Sequence, residues 1–156
     1  LLFIHIGYPS ADEEIDILAR TTGVAAPEVE NVLSAADVLA IQRLVREVDT
    51  NPVLLQYVAN IVRTTRPGGE GPPMVEDYVR WGAGPRAGQA IILCAKANAL
   101  LSGRYAVTLE DLRRVAHPAL RHRLLLNFQA EADRVSTDAI VSSVLESVPE
   151  PESPIR

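Results

Sequence analysis

Trp81-Gly-Ala-Gly-Pro-Arg-Ala-Gly88, continued as Gln89-Ala-Ile-Ile-Leu-Cys-Ala-Lys-Ala-Asn-Ala-Leu-Leu101, reads as a glycine-rich turn that opens the most apolar helix of the chain. Pro85 suits the first helical position, where its missing N–H costs nothing, and Gly103 offers a place to stop. The predicted helix from Pro85 to Leu101 is rich in alanine, so neighbours can pack close to it. One residue resists a purely structural account. Arg86 falls in the first turn, where unpaired amides already make the helix end positive, and a cation there costs about 0.3–1 kcal/mol. An anion is therefore expected nearby.

Outward from this helix, cap signals recur. Ser10-Ala-Asp-Glu13 has the spacing of a capping box, with acids in the first turn, Arg20 near the end and Gly23 as a stop. Ile15, Leu18 and Ala19 supply its apolar positions. A loop is expected over Val24 to Val32. Ser34 caps a second helix through about Val48, whose Val38, Ile41, Leu44, Val45 and Val48 share a face that should meet a partner helix. Asn51-Pro52 opens a third helix toward Arg63, carrying Leu54, Leu55, Val58, Ile61 and Val62. Thr64 to Pro73 is too rich in proline and glycine for helix or central strand, and is expected as a surface loop. Thr108-Leu-Glu-Asp111 caps a helix through about Ala116 that Pro118 should end or kink. Ser136 caps a last helix through Leu145. Pro149 to Arg156 has the composition of a disordered tail.

Composition agrees with this order. With 47% apolar and only 4% aromatic residues, the 156-residue chain can bury a core of packed helices. The fold class expected is all-α, a small helical bundle with short extended segments. A net charge of −5 argues against nucleic acid and anionic lipid as general partners. Cys94 is alone, which excludes an internal disulfide, suits a buried thiol and fits a cytoplasmic setting. No apolar run approaches the roughly 20 residues needed to cross a bilayer. Leu1 to Ile6 reads as a strand already under way, so the chain is expected to be a piece of a longer one.

Chemistry is concentrated around Arg86. An ordinary account pairs it with Glu76 or Asp77, or leaves it solvated, for about 0–1 kcal/mol, and spacing alone favours that account. A phosphate is the alternative: glycines on both sides of Ala83 let backbone approach an oxyanion, and arginine offers a planar fork of donors. Tyr78 and Trp81 are expected to anchor the loop by burial. Arg113, Arg114, His117, Arg121, His122 and Arg123 make the most basic segment, expected as a solvated face. His117 and His122 are poorly spaced for a metal, and none is expected. No paired carboxylates, Ser/His/Asp set or Cys/His pair stands out, so an independent catalytic site is not expected.

Gly82-Ala-Gly-Pro-Arg-Ala87 with its Ala/Leu-rich helix resembles the sensor 2 motif of the MoxR family of AAA+ ATPases. Ile6-Gly-Tyr-Pro-Ser10 resembles that family's exit from the nucleotide-binding core. Tyr105 to Asp111 and His117 to Leu124 resemble its closing segment. The resemblance spans most of Leu1 to Gln129 and implies the end of a core strand and a hinge over 1–9, a helical lid over 10–129, and a terminal helix with tail over 130–156. It implies that Arg86 contacts the γ-phosphate of ATP, with Gly84 and Pro85 beside it and Gly7, Tyr8 and Pro9 bordering the adenine. ATP and Mg2+ would be used by the longer parent, since Leu1 to Arg156 contains no G-x-x-x-x-G-K-[ST] and should not bind or hydrolyse ATP alone. Implied partners are the core of the same chain and neighbouring subunits of a ring, a hexamer by family precedent, acting on client proteins by chaperone-like remodelling or metal-cofactor insertion. In this family the lid arginine can serve its own or a neighbouring nucleotide. The motif departs from the family at Gly84, where serine is common, a change worth a few tenths of a kcal/mol in capping. A free-standing helical module that docks protein without nucleotide is the alternative, and a DNA-binding helical domain a weaker one.

Overall fold

The computed structural model describes residues 1–23 and 29–152. Among them eight helices and two short strands follow in order: α1 Ala11–Thr21, α2 Ala35–Glu47, α3 Pro52–Thr64, α4 Pro73–Tyr78, β1 Val79–Trp81, α5 Pro85–Leu101, α6 Leu109–Leu120, β2 Leu125–Leu126, α7 Phe128–Ala132 and α8 Thr137–Ser147. The all-α expectation holds, and none of these helices is long and apolar enough to cross a membrane.

The long helices other than α5 begin where their side-chain caps require. Ser10, Ser34 and Thr108 accept from the amides of Glu13, Asp37 and Asp111, whose carboxylates reach back in complete capping boxes. Asn51 and Ser136 cap α3 and α8. Gly103, at φ 71°, closes α5 in the left-handed conformation that glycine adopts without strain.

The core lies where α5 meets α6 and α3, with α8 packed against α6 and α3. Ala87, Ala90, Ala95 and Ala99 of α5 are buried, as are Ala116 and Ala119 of α6. Small side chains on facing helices let the backbones approach, and Ile61, Ile91, Leu112, Leu120 and Ile140 fill the remaining volume. Of the two outcomes expected at Pro118, an end or a kink, the end does not occur: the residue sits inside the helix, which runs on past Ala116 to Leu120. The bond it removes belongs to the carbonyl of exposed Arg114, which water can satisfy, while Ala119 and Leu120 gain full burial by continuing the helix. Cys94 is half-buried rather than buried.

α4, α7 and the β1–β2 pair were not anticipated. Val79 pairs with Leu126 and Trp81 with Leu125 across an antiparallel register, and Asn127 joins them by donating to the Tyr78 and Asp77 carbonyls. These elements have six residues or fewer, too short for periodicity to reveal them. Their stability comes from partners distant in sequence.

At the other end of the bundle, α1 and α2 bury no residue of their own. Val38, Ile41 and Leu44 remain exposed, yet α2 does meet a partner helix as expected: it packs against α5, with Val45 half-buried, Val48 buried and the Arg46 carbonyl accepting from Lys96 Nζ at 3.1 Å. The segment Leu1 to Ser10 forms no strand, since no neighbouring strand lies beside it among the described residues. It is held by Phe3, whose amide donates to the Pro118 carbonyl at 2.8 Å and whose ring stacks on His122. Residues 29–32 carry neither helix nor strand; 24–28 of the expected loop and 153–156 of the expected tail lie outside the described residues.

One buried polar cluster locks the α5–α6 connection. Asp111 is 1% exposed and accepts from both Arg104 terminal nitrogens at 2.7 Å, from Asn98 at 2.6 Å, and from the Thr108 amide and hydroxyl at 2.8 Å. Burial alone would raise its pKa, but the donors outweigh burial and hold it well below the usual carboxylate range. A depressed pKa contributes stability that is complete above the unfolded-state value, about 3.9, and is lost as pH falls through the folded-state value. Asp111→Asn should cost about 2–3 kcal/mol at neutral pH, less than a fully buried pair because Arg104 is 39% exposed and can turn to water. Urea unfolding at pH 7 and at pH 3 checks this: the deficit of the variant should shrink at the lower pH.

Candidate functional site

The loop before α5 is built from the end of α3. Thr65 caps that helix and is fully buried; its hydroxyl donates to the Val62 carbonyl at 2.7 Å and accepts from the Ala83 amide at 2.8 Å. Arg66, next in sequence, donates from Nε to the Ala83 carbonyl at 3.0 Å. Both polar groups of Ala83 are thus held by adjacent residues of one turn. Gly82 permits the approach, because a Cβ there would lie 2.4 Å from the Thr65 carbonyl oxygen and 2.7 Å from the Arg66 Cα. The glycine before Ala83 therefore serves contact with the chain's own backbone, and not the approach to a ligand oxyanion that the phosphate alternative gave it. Gly84 is different: a Cβ there meets nothing within 4 Å, and the residue caps α5 without a side-chain hydrogen bond.

From this fixed loop α5 starts with Pro85 and Arg86. Arg86 is exposed and has no ion pair or side-chain hydrogen bond among the described residues. Its anticipated partners are engaged or apart: Glu76 accepts from the Gly68 amide at 2.7 Å, and Asp77 makes no pair with it. No acid lies in the first turn of α5. Pro85 brings no N–H and the Ala87 amide donates to the Gly84 carbonyl at 2.9 Å, so a free guanidinium stands at a helix start that has no side-chain cap, an arrangement suited to an anion with several acceptor oxygens. Alongside runs a groove of about 460 Å3 between α3 and α5, floored by Leu55, Val58, Val62, Gly88 and Ile92.

Other expected site residues fall elsewhere. Gly7, Tyr8 and Pro9 are exposed in the segment before α1, and no hydrogen bond joins them to the Arg86 loop among the described residues. Tyr78 is half-buried and donates to Asp133 at 3.2 Å, as an anchor should. Trp81 is 65% exposed, so it does not anchor the loop by burial: its strand lies at the surface, and Thr65 and Arg66 do that work. The basic segment is not a freely solvated face. Arg121 makes a two-point pair with Asp138 at 2.8 and 2.9 Å and donates to the Phe3 carbonyl; Arg113 meets Glu150 at 2.6 Å; Arg123 caps the Ala119 and Leu1 carbonyls; His117 contacts Ser142. No group of three His, Cys, Asp or Glu side chains among the described residues can hold a metal. Thr65 and Arg66 were missed because they lie 18 and 17 residues from Ala83, and only Gly82 hinted at a close approach.

Residues 73–144 match the AAA lid domain family. Over 97% of its length the chain is 37% identical to the chaperone MoxR1 of Mycobacterium tuberculosis, of which it covers 40%. It is 30% identical to the uncharacterized protein YeaC of Bacillus subtilis and covers 45% of it. A crystal structure of a putative ATPase from Cytophaga hutchinsonii superposes with a TM-score of 0.85 at 31% identity, over 97% of this chain and 46% of that one. The chain thus spans less than half the length of the relatives it matches.

The two glycines flanking Ala83 should behave oppositely. Gly82→Ala should destabilise the domain by about 2 kcal/mol through overpacking, whereas Gly84→Ser should be neutral or stabilise it by a few tenths. Thermal unfolding of the two variants checks both.

Proposed function

We propose, for a chain that belongs to the MoxR family of AAA+ ATPases as its lid domain, that Arg86 is the sensor 2 arginine and completes an ATP site formed with a core domain. The observation that carries this is the unpaired, exposed Arg86 guanidinium at the start of a helix that has no side-chain cap and no acid in its first turn, and whose position is fixed by two bonds to Ala83. A stability account has no use for a cation there; a triphosphate does.

ATP, as substrate, supplies the γ-phosphoryl group that hydrolysis removes, with Mg2+ and the P-loop belonging to the core. Arg86 donates to the γ-phosphate oxygens and stabilises charge on the group being transferred. When that phosphate is lost Arg86 loses its anion, so the lid is biased between two positions. Tyr8, fully exposed between Gly7 and Pro9, offers its ring to the adenine border. The parent acts as an oligomeric ring, a hexamer on family precedent, and couples turnover to chaperone-like remodelling or metal-cofactor insertion in client proteins. A cytoplasmic setting goes with this reading. A free-standing interaction module is disfavoured, because the relatives matched over nearly the whole chain carry this stretch within much longer proteins.

In the full-length parent, Arg86→Ala should lower the ATP turnover number about a hundred-fold. Its lid should remain folded, with unfolding shifted by less than about 0.5 kcal/mol, because the side chain is exposed. Undiminished turnover in a folded variant would reject the sensor role.

A further inference from the structure

We propose that Thr65 and Arg66 are positioning residues for Arg86, an inference that rests on the sensor reading of that arginine. They hold the Ala83 amide and carbonyl from one turn at the end of α3, and Ala83 lies three residues before Arg86.

The path between clamp and arginine is short and stiff. Ala83 is 1% exposed and cannot drift without opening the core. Gly84 is extended at φ −93° and ψ 177°, and the Pro85 ring fixes φ at the first helical position. A displacement of Ala83 therefore passes to the first turn of α5 and to the Arg86 stem. Catalytic contacts are intolerant of such movement: a misplacement of about 1 Å can cost on the order of a hundred-fold in rate.

The clamp is also built in a way that pure packing does not require. The Thr65 hydroxyl has no exposure and uses both its donor and its acceptor capacity on backbone, at Val62 and Ala83. Arg66 gives its Nε to a neutral carbonyl, not to an acid. Gly82 brings the two backbones closer than a Cβ would allow. Three residues of different chemistry converge on the location of one peptide segment, and the group next downstream with functional chemistry is Arg86.

The test uses the full-length ATPase. Thr65→Val removes the hydroxyl at nearly constant volume, and Thr65→Ser restores it. Thr65→Val should speed hydrogen exchange at the Ala83 amide and lower kcat for ATP by about ten-fold or more with a smaller change in KM, and Thr65→Ser should recover most of the loss. In an Arg86→Ala background, Thr65→Val should cost less than about two-fold further, because the two residues act as one unit. Should Thr65→Val fail to fold, Arg66→Ala, at an exposed side chain that holds the Ala83 carbonyl, should lower kcat in the same direction and likewise cost less than about two-fold further in the Arg86→Ala background. A freed Ala83 amide with unchanged kcat, or a full additional loss in the Arg86→Ala background, would overturn the positioning role. Wild-type turnover of Arg86→Ala alone would instead overturn the sensor reading beneath it, and is seen in that single variant.

Discussion

The hydrogen bond from the Ala83 amide to the buried Thr65 hydroxyl is the point from which the functional end of this domain is built. It joins the end of α3 to the start of α5, two elements brought together by no local sequence signal, and it does so where neither group has water as an alternative. Leaving such a pair unmade costs roughly 1–3 kcal/mol, so the loop has one stable seat. Everything at the Arg86 end follows from that seat: the close approach at Gly82, the Arg66 contact, the groove between α3 and α5, and the direction in which α5 leaves.

A second polar cluster does for the far end of α5 what Thr65 does for the near end. Asp111 ties the α6 cap to Asn98 and Arg104, so the connection between the two most closely packed helices is fixed by charge-assisted bonds. Between these ends α5 presents mostly alanine to its neighbours. Small side chains give close packing but little specificity of register, since one alanine fits another's place. Polar locks at both ends supply that register. Arg86 thereby projects from a rod that is pinned twice, while the apolar residues Ile15 and Leu18 of α1 and Val38, Ile41 and Leu44 of α2 remain exposed.

Much of this was legible in the sequence, for reasons that differ by element. Cap residues act within three or four positions of themselves, so Ser10, Ser34, Asn51, Thr108 and Ser136 announced their helices. Arg86 stood out because it violates a local rule, and its anion-free surroundings in the fold keep that violation unresolved within the chain. Contacts between distant segments were not legible. Pro118 continues a helix because burial of Ala119 and Leu120 outweighs one lost bond, and Trp81 is exposed because its short strand pairs at the surface. The arginines after Leu112 were drawn as a solvated face, yet Asp138, Glu150 and the Phe3 carbonyl take them up. Those partners lie 17 to 118 residues away, beyond the reach of any pattern in one window.

The central claim is that a fixed loop presents Arg86 to a nucleotide phosphate. Its most direct test is a crystal structure of the full-length protein with a non-hydrolysable ATP analogue and Mg2+. The account predicts an Arg86 guanidinium nitrogen about 3 Å from a γ-phosphate oxygen, of the same or a neighbouring subunit, with the Ala83 amide still on the Thr65 hydroxyl. An occupied nucleotide site with Arg86 left in solvent would contradict it.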